Sequence, residues 1–264
     1  MDKKSKPLLL LTNDDGIHAP GIRHLWEALK DIADLTIVAP SPNASGSGVS
    51  ITWTRPLHAR HVNDFGSDTQ AWALNGTPAD CVKIALSALL PRRPDLILSG
   101  INEGSNSGRT VLYSGTVGGI IEGSMSGIPG IAFSFSDLTP PPLSATKKYI
   151  HSLVTHFLQS GMPAGTFLNV NFPFLSAERI LGIRFAKQGK GYMKEDPDRR
   201  LHPEGFPYYW LGGKWFDCEE DPESDVALLE QGYITAVPLR VTELTDHTFL
   251  EKCKAQETKV FEYV

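Results

Sequence analysis

Residues Leu8 to Thr12 form an apolar run that stops abruptly at Asn13-Asp14-Asp15-Gly16. The run has the length of a buried strand, and polar turn residues bound it. Two adjacent carboxylates just past a strand end repel each other, and a divalent cation is the simplest partner that makes such a pair favourable. An Asx turn closed by Gly16 is the purely structural alternative for the same residues.

Beyond this turn, strand and helix patterns alternate. Apolar residues at helical spacing (Ile22, Leu25, Trp26, Leu29, Ala33) predict a helix over 21–33, and 35–39 reads as a second strand. The β-rich text from Val49 to Leu74 fits an inserted hairpin. Thr77-Pro78-Ala79-Asp80 opens a helix reaching about Leu89, with a capping hydroxyl, a proline in the first turn and a carboxylate beside the exposed N–H groups. Further strands are expected at 95–98, 130–135 and 167–172. Helices are expected at 116–126 and, after Pro140-Pro141-Pro142, at 144–159. This alternation predicts an α/β fold with a doubly wound, mostly parallel sheet. From Lys187 to Phe216, Gly, Pro and aromatic residues suit long hairpins and loops; a helix at 224–231, a strand at 233–239 and a terminal helix follow. The chain reads as one domain, with a core over about 7–186 and a hairpin and C-terminal extension over about 187–264.

Composition narrows the possible roles. Thirty acidic against 25 basic residues give a formal net charge of −5, which argues against coating nucleic acid or an anionic membrane. Cys81, Cys218 and Cys253 show no CxxC or zinc spacing, so no disulfide framework is expected and a reducing cytoplasm fits best. Lys3-Lys4-Ser5-Lys6 before the leucines superficially resembles a signal peptide, but the apolar run is too short. No stretch is long and apolar enough to span a bilayer as a helix.

In open parallel sheets, ligands bind where loops leave the carboxyl ends of the strands. Three such loops are rich in polar and small residues. The first carries Asp14 and Asp15. The second, Pro40 to Gly48, reads as a flexible turn whose Ser45 hydroxyl offers a neutral oxygen of the kind Mg²⁺ or Mn²⁺ accepts beside carboxylates. The third, Gly100 to Thr116, is mostly Gly, Ser, Thr and Asn, and a loop that long without secondary structure usually serves function. It ends in Ser114-Gly115-Thr116 at a helix start, where free N–H groups and hydroxyls suit a phosphate. Asn102 is placed to offer an amide oxygen to a metal. No Gly-Lys-Ser/Thr follows, so this is not a Walker loop, and it does not match GxGxxG.

Weaker candidates have plainer readings. His18 is a potential proton carrier but fits better as a hydrogen-bond partner at a helix start. Glu103 and Arg109 fit a solvated loop, and Tyr113 fits either base stacking or packing under the loop. Glu122 suits a supporting role or the surface, and Trp26 and Trp72 suit the core.

With these loops in view, the chain strongly resembles the SurE family, the survival protein E nucleotidases. The matching text is Thr12 to Ile17 with Ala19-Pro20-Gly21-Ile22, Val38-Ala39-Pro40 with Ser45-Gly46, Leu74 to Val82, and Ser99 to Asn102 with Gly104, Asn106, Gly108 and Tyr113 to Val117. Later echoes are Leu168 to Asn171, Tyr208 to Gly213 and Gln231 to Ile234, so the resemblance spans nearly the whole chain. It implies a Rossmann-like core with a C-terminal hairpin and swapped extension, assembled as a homodimer or homotetramer. It also implies phosphate-monoester hydrolysis on 5′- and 3′-nucleoside monophosphates with one Mg²⁺ or Mn²⁺. The family's metal ligands fall on Asp14, Asp15, Ser45 and Asn102, and its phosphate-site residues on Asn106, Ser114, Gly115 and Thr116. Two departures stand out: Arg109-Thr110 where many members are acidic, and Val237 before Pro238 where Thr is common.

The expected chemistry makes Asp14 and Asp15 catalytic, either accepting the attacking water's proton or attacking phosphorus directly. A haloacid-dehalogenase-type phosphatase needs Asp-x-Asp after its first strand, whereas these acids are adjacent. A receiver-domain regulator pairs acids there too, but it is shorter and lacks the later pattern. A non-catalytic nucleotide-binding module is the rival from another class.

Overall fold

A computed structural model describes residues 6–136, 144–216 and 218–256; Lys3 to Ser5 and the Pro140 to Pro142 run lie outside them. The elements in chain order are β1 (Leu8–Thr12), α1 (Pro20–Leu29), β2 (Asp34–Pro40), β3 (Ala59–His61), β4 (Gln70–Leu74), α2 (Pro78–Ile84), β5 (Leu96–Asn102), α3 (Gly115–Met125), β6 (Gly130–Phe135), α4 (Ser144–Ser160) and β7 (Thr166–Phe172). Then come β8 (Ile183–Phe185), β9 (Tyr192–Lys194), β10 (Asp198–Leu201), β11 (Pro207–Trp210), β12 (Lys214–Phe216), α5 (Asp225–Glu230), β13 (Ile234–Arg240) and α6 (His247–Lys254).

The main sheet runs β3-β4-β2-β1-β5-β6-β7-β13-β8. Strands β4, β2, β1, β5, β6 and β7 pair in parallel. Two neighbours break the rule: β3 runs antiparallel to β4, and β13 antiparallel to β7. The expected inserted hairpin is thus the edge pair β3–β4, and the C-terminal text supplies two small antiparallel ribbons, β10–β11 and β9–β12.

Period-2 alternation along β1 explains the two-sided architecture. Leu9 and Leu11 belong to the core with Ile22 and Leu25 of α1 and Ile150 and Val154 of α4. Leu10 points the other way, into the core with Val82 of α2 and Val117 and Ile120 of α3. Each leucine is fully buried, which contributes about 1.5–3 kcal/mol per side chain. A central strand clad on both faces brings its polar C-terminal end to the sheet's carboxyl edge, together with the ends of β2 and β5.

Boundaries shift where the chain must turn. The first helix ends at Leu29 rather than Ala33, because the N–H groups of Ile32 and Ala33 both return to the Leu29 carbonyl, at 3.0 and 3.2 Å, as the chain reverses into β2. The second is α-helical only to Ile84 and continues as a wider turn over Ala85–Leu89. Strand β5 extends past Leu98 to Asn102 through a register shift between Ser99 and Asn102, so Asn102 is its last residue rather than a loop residue. The Gly100 to Thr116 loop contains a short 3₁₀ turn at Gly108–Leu112, a correction to its expected lack of structure.

The start of α2 forms as expected. Thr77 accepts from the Asp80 N–H and the Asp80 carboxylate accepts from the Thr77 N–H, a reciprocal capping box. Asp80 also accepts from the Thr52 hydroxyl at 2.6 Å and the Thr52 N–H at 2.9 Å, fastening the loop before β3 to this helix. Burial pushes the Asp80 pKa up, but hydrogen bonds from Thr52 and Thr77 outweigh it and hold the carboxyl below its ordinary value. The native state therefore keeps the ionised form to lower pH than the unfolded chain does, and its stabilisation is lost as pH falls through the acid range. Asp80→Ala is expected to destabilise the protein by about 2–4 kcal/mol at pH 7, measured by urea unfolding, with a smaller difference at pH 3. An unchanged midpoint at pH 7 would show that this network contributes nothing.

Candidate functional site at the carboxyl edge of the sheet

The turn after β1 divides its labour. The Asn13 amide donates to the Gly16 carbonyl at 2.9 Å, and the Gly16 N–H donates back to Asn13 Oδ1 at 3.3 Å. Gly16, at φ +111°, supplies the left-handed backbone that closes the turn. Asn13 thus does the structural work, and neither aspartate side chain is needed for it.

Asp14 is buried beneath the N-terminus of α3. Its Oδ1 accepts the Thr116 hydroxyl, and the main-chain N–H groups of Gly115 and Thr116 also stabilise the carboxylate. Its own carbonyl accepts from Ala44 at 2.8 Å, drawing the second loop against the first. No side chain fits at Gly115, where a Cβ would lie 2.9 Å from Asp14 Oδ2 and 2.7 Å from Ser47 Oγ. The backbones of the second loop and α3 touch at Gly118, whose Cβ would overlap the Gly48 carbonyl.

Asp14, Ser45, Asn102, Asn106 and Ser114 line one cleft of about 320 Å³, with Thr110, Tyr113, Tyr192 and Met193 around them. Asn106 is held at three atoms. Its N–H donates to Asn171 Oδ1 at 2.9 Å, its carbonyl accepts from Asn169 Nδ2 at 2.8 Å, and its Nδ2 donates to Ser134 Oγ at 2.7 Å. Ser114 caps α3 by accepting the Val117 N–H at 3.1 Å. Gly115 and Thr116 sit behind Asp14, fully buried, rather than on the cleft wall. Asp15 is half-buried and turned toward the Glu103 N–H at 3.4 Å.

Two carboxylates this close and this enclosed carry an electrostatic cost. Burial raises the Asp14 pKa against the opposing hydrogen bonds from Thr116 and Gly115. Burial and then the Asp14 charge push Asp15 up to about 7. The Asn102 amide nitrogen donates to the Gly104 carbonyl at 2.8 Å, which leaves Oδ1 as the atom it offers a ligand. Among the described residues no three His, Cys, Asp or Glu side chains gather as a metal cluster. The available donors are two carboxylates, a hydroxyl and an amide oxygen, all hard oxygen ligands, and this set fits Mg²⁺ or Mn²⁺ rather than a soft metal.

The weaker candidates separate. His18 pairs with Asp64 at 3.2 Å on the surface beside the start of α1. Glu122 is buried and bonds Lys83 at 2.8 Å, joining α3 to α2, so it neither faces water nor lines the cleft. Trp26 and Trp72 are half-buried and pack against the two cores. Glu103 and Tyr113 line the cleft, and Arg109 is exposed with its guanidinium 5.3 Å from the Tyr192 ring centre.

Sequence reasoning missed the cradle of Asn106 and the hairpin wall. Asn169 and Asn171 sit two apart on an apolar strand and so share one face of β7; that spacing was the available signal. Nothing local to Tyr192 or Met193 indicated that β9 reaches the cleft.

The family model described as "Survival protein SurE" matches residues 9–195. The chain is similar to the 5'-nucleotidase SurE of Protochlamydia amoebophila (strain UWE25), at 52% identity over 95% of this chain and 96% of that protein. It is also similar to the 5'-nucleotidase SurE of Christiangramia forsetii, at 43% identity over 94% and 96%. The crystal structure of the Sure protein from Aquifex aeolicus superposes with a TM-score of 0.81 at 40% identity, covering 95% of this chain and all of that one.

The charge arrangement makes a prediction for the protein in chelator. Because the native Asp15 carboxyl holds its proton to about pH 7 while the unfolded chain ionises nearer pH 4, metal-free stability falls as pH rises across that window. Asp15→Asn removes the penalty. Thermal unfolding in EDTA should show the variant more stable than wild type by about 1–3 kcal/mol at pH 8 and no more stable at pH 4. A lower Tm for the variant at pH 8 would mean that the Asp15 charge is already compensated.

Proposed function

The chain belongs to the survival protein SurE family, and from that membership we propose that it is a nucleotidase, a divalent-cation-dependent phosphomonoesterase that hydrolyses 5′- and 3′-nucleoside monophosphates to nucleoside and phosphate. The observation that carries this reading is the meeting, in one cleft, of the buried Asp14 carboxylate, the oxygens of Ser45 and Asn102, and the polar groups of Asn106 and Ser114 at the start of a helix. The names of the relatives support the 5′ activity.

Asp14, Asp15, Ser45 and Asn102 are the proposed ligands of one Mg²⁺ or Mn²⁺. When bound, such a cation supplies charge neutralisation and Lewis acidity at the phosphate. The chain's own groups do the rest. Asn106 and Ser114 hold non-bridging oxygens, and the N-terminus of α3, with Gly115 and Thr116, biases the cleft toward negative charge. Asn169, Asn171 and Ser134 keep Asn106 in place. Of the acid pair, one carboxylate takes the proton of the attacking water. We favour this route over direct attack by Asp14, because Thr116 holds its Oδ1 in a hydrogen bond and the proposed cation would take Oδ2.

The protein is proposed to work in the cytoplasm; its cysteines are unpaired, and among the described residues no helix is long and apolar enough to cross a membrane. It takes a small nucleotide as its partner, with no stable nucleic acid or membrane contact, consistent with a net charge of −5. Homodimer or homotetramer assembly is supported by the apolar surface of the C-terminal elements. Tyr209, Trp210 and Leu211 after β10, and Phe249 on α6, which buries none of its residues, are all exposed.

Wild type should release phosphate from nucleoside monophosphates only with Mn²⁺ or Mg²⁺. Asp14→Asn should lower kcat at least about 100-fold while leaving the circular dichroism spectrum unchanged. Saturable nucleotide binding without phosphate release would instead make this a sensing module. Rapid quench with radiolabelled substrate should leave no label on the protein; a labelled chain would make an aspartate the nucleophile.

A further inference from the structure

The floor and the rim of the cleft differ in chemistry. Asp14, Asn106 and Ser114 on the floor are 3%, 6% and 7% exposed, whereas Tyr113 and Met193 on the rim are 71% and 50% exposed. Half-buried Tyr192 lies on the same rim. A phosphate ester with its phosphoryl group on the floor must carry its organic portion across that rim. Of the rim aromatics, Tyr192 is the one whose ring is held, with the Arg109 guanidinium 5.3 Å from its centre and the Phe216 ring at the same centroid distance of 5.3 Å.

Tyr192 reaches the cleft because the segment before it is stitched to the Gly-rich loop. The Arg109 N–H donates to the Gly191 carbonyl at 2.9 Å, and the Gln188 amide donates to the Gly108 carbonyl at 3.1 Å. Gly108 leaves no room for a side chain, since a Cβ there would lie 2.5 Å from the Gly191 oxygen. One buried carboxylate then ties both segments together. Asp225, 0% exposed, accepts the Gly108 N–H on Oδ2 at 3.1 Å and the Gly189 N–H on Oδ1 at 2.7 Å. Its Oδ1 also accepts its neighbour's N–H, from Val226, at 2.9 Å. A carboxylate removed from water needs such donors. Here they come from the two walls of the cleft, so the charge that must be satisfied is also the link that sets their spacing.

We infer that Tyr192 is a specificity-determining residue that packs against the nucleobase, and that Asp225 is the positioning residue that holds it at the cleft. This rests on the nucleotidase reading above. The test uses the full-length Mn²⁺-loaded enzyme with nucleoside 5′-monophosphates and with ribose 5-phosphate, which has the same phosphorylated sugar and no base. Base–aromatic contact is worth about 1–3 kcal/mol, so Tyr192→Ala should raise KM for the nucleotides at least about 5- to 10-fold. Its kcat, and both constants for ribose 5-phosphate, should stay within about 2-fold of wild type. Tyr192→Phe should behave as wild type. Asp225→Ala should reproduce the nucleotide-selective rise in KM, and Asp225→Asn, which keeps an acceptor oxygen, should recover most of it. An unchanged nucleotide KM in Tyr192→Ala, or an equal loss on both substrates, overturns the base contact. An Asp225→Ala variant that unfolds, or that loses ribose 5-phosphate turnover equally, overturns the positioning role while Tyr192→Ala still decides the contact. A wild type inactive on both substrates defeats the nucleotidase reading itself, and this inference with it.

Discussion

A single buried carboxylate organises the working edge of the molecule. Asp14 sits where the first strand of the sheet ends and where the helix after the Gly-rich loop begins, and it is bonded to Thr116 of that helix. Two loops from other strands are held around it: one by the Asp14 carbonyl through Ala44, the other by the contact of Gly115 with the Asp14 side chain. A helix N-terminus and a carboxylate attract each other, which offsets part of the cost of burial. The rest of the cost remains, as the raised titration of both aspartates indicates. That remaining cost is what the proposed divalent cation would relieve.

The remainder of the cleft is built by amides rather than charges. Asn106, Asn169 and Asn171 are joined by two hydrogen bonds among themselves, and Ser134 takes a third from Asn106. Such a buried network fixes a side chain without adding charge. Tyr192 on the rim is joined to the Gly-rich loop through the Arg109 bond to Gly191, the Gln188 bond to Gly108 and the Asp225 carboxylate.

Much of this was readable in the residues. The first strand matched its expected bounds because an apolar run between polar turn residues has one way to bury itself. The reciprocal cap at Thr77 and Asp80 was visible because both partners lie within one turn. Ser45, Asn102 and Ser114 could be proposed because each follows a recognisable strand or opens a helix, whereas Asn106 came only from the family resemblance. Asp225 could not, since by sequence it is an ordinary acid in the first turn of a short helix, and its distant partner, Gly108, lies 117 residues away. The bounds that moved, at Leu29, Ile84 and Asn102, moved where the backbone bends to meet a neighbouring element, which local propensity does not encode.

The placement of β13 between β7 and β8 has a bearing on how the chain matures. Strand β8 pairs in the main sheet with β13 alone, so residues 183–185 have no sheet neighbour until 234–240 have been made. Asp225, on the stretch between them, meets Gly108 and Gly189 over the same interval. A ribosome releasing this chain from its N-terminus would therefore free a sheet already carrying its acid pair well before the aromatic wall is anchored. The residues of the cleft floor are thus made well before the bonds that hold Tyr192 on its rim, at opposite ends of synthesis.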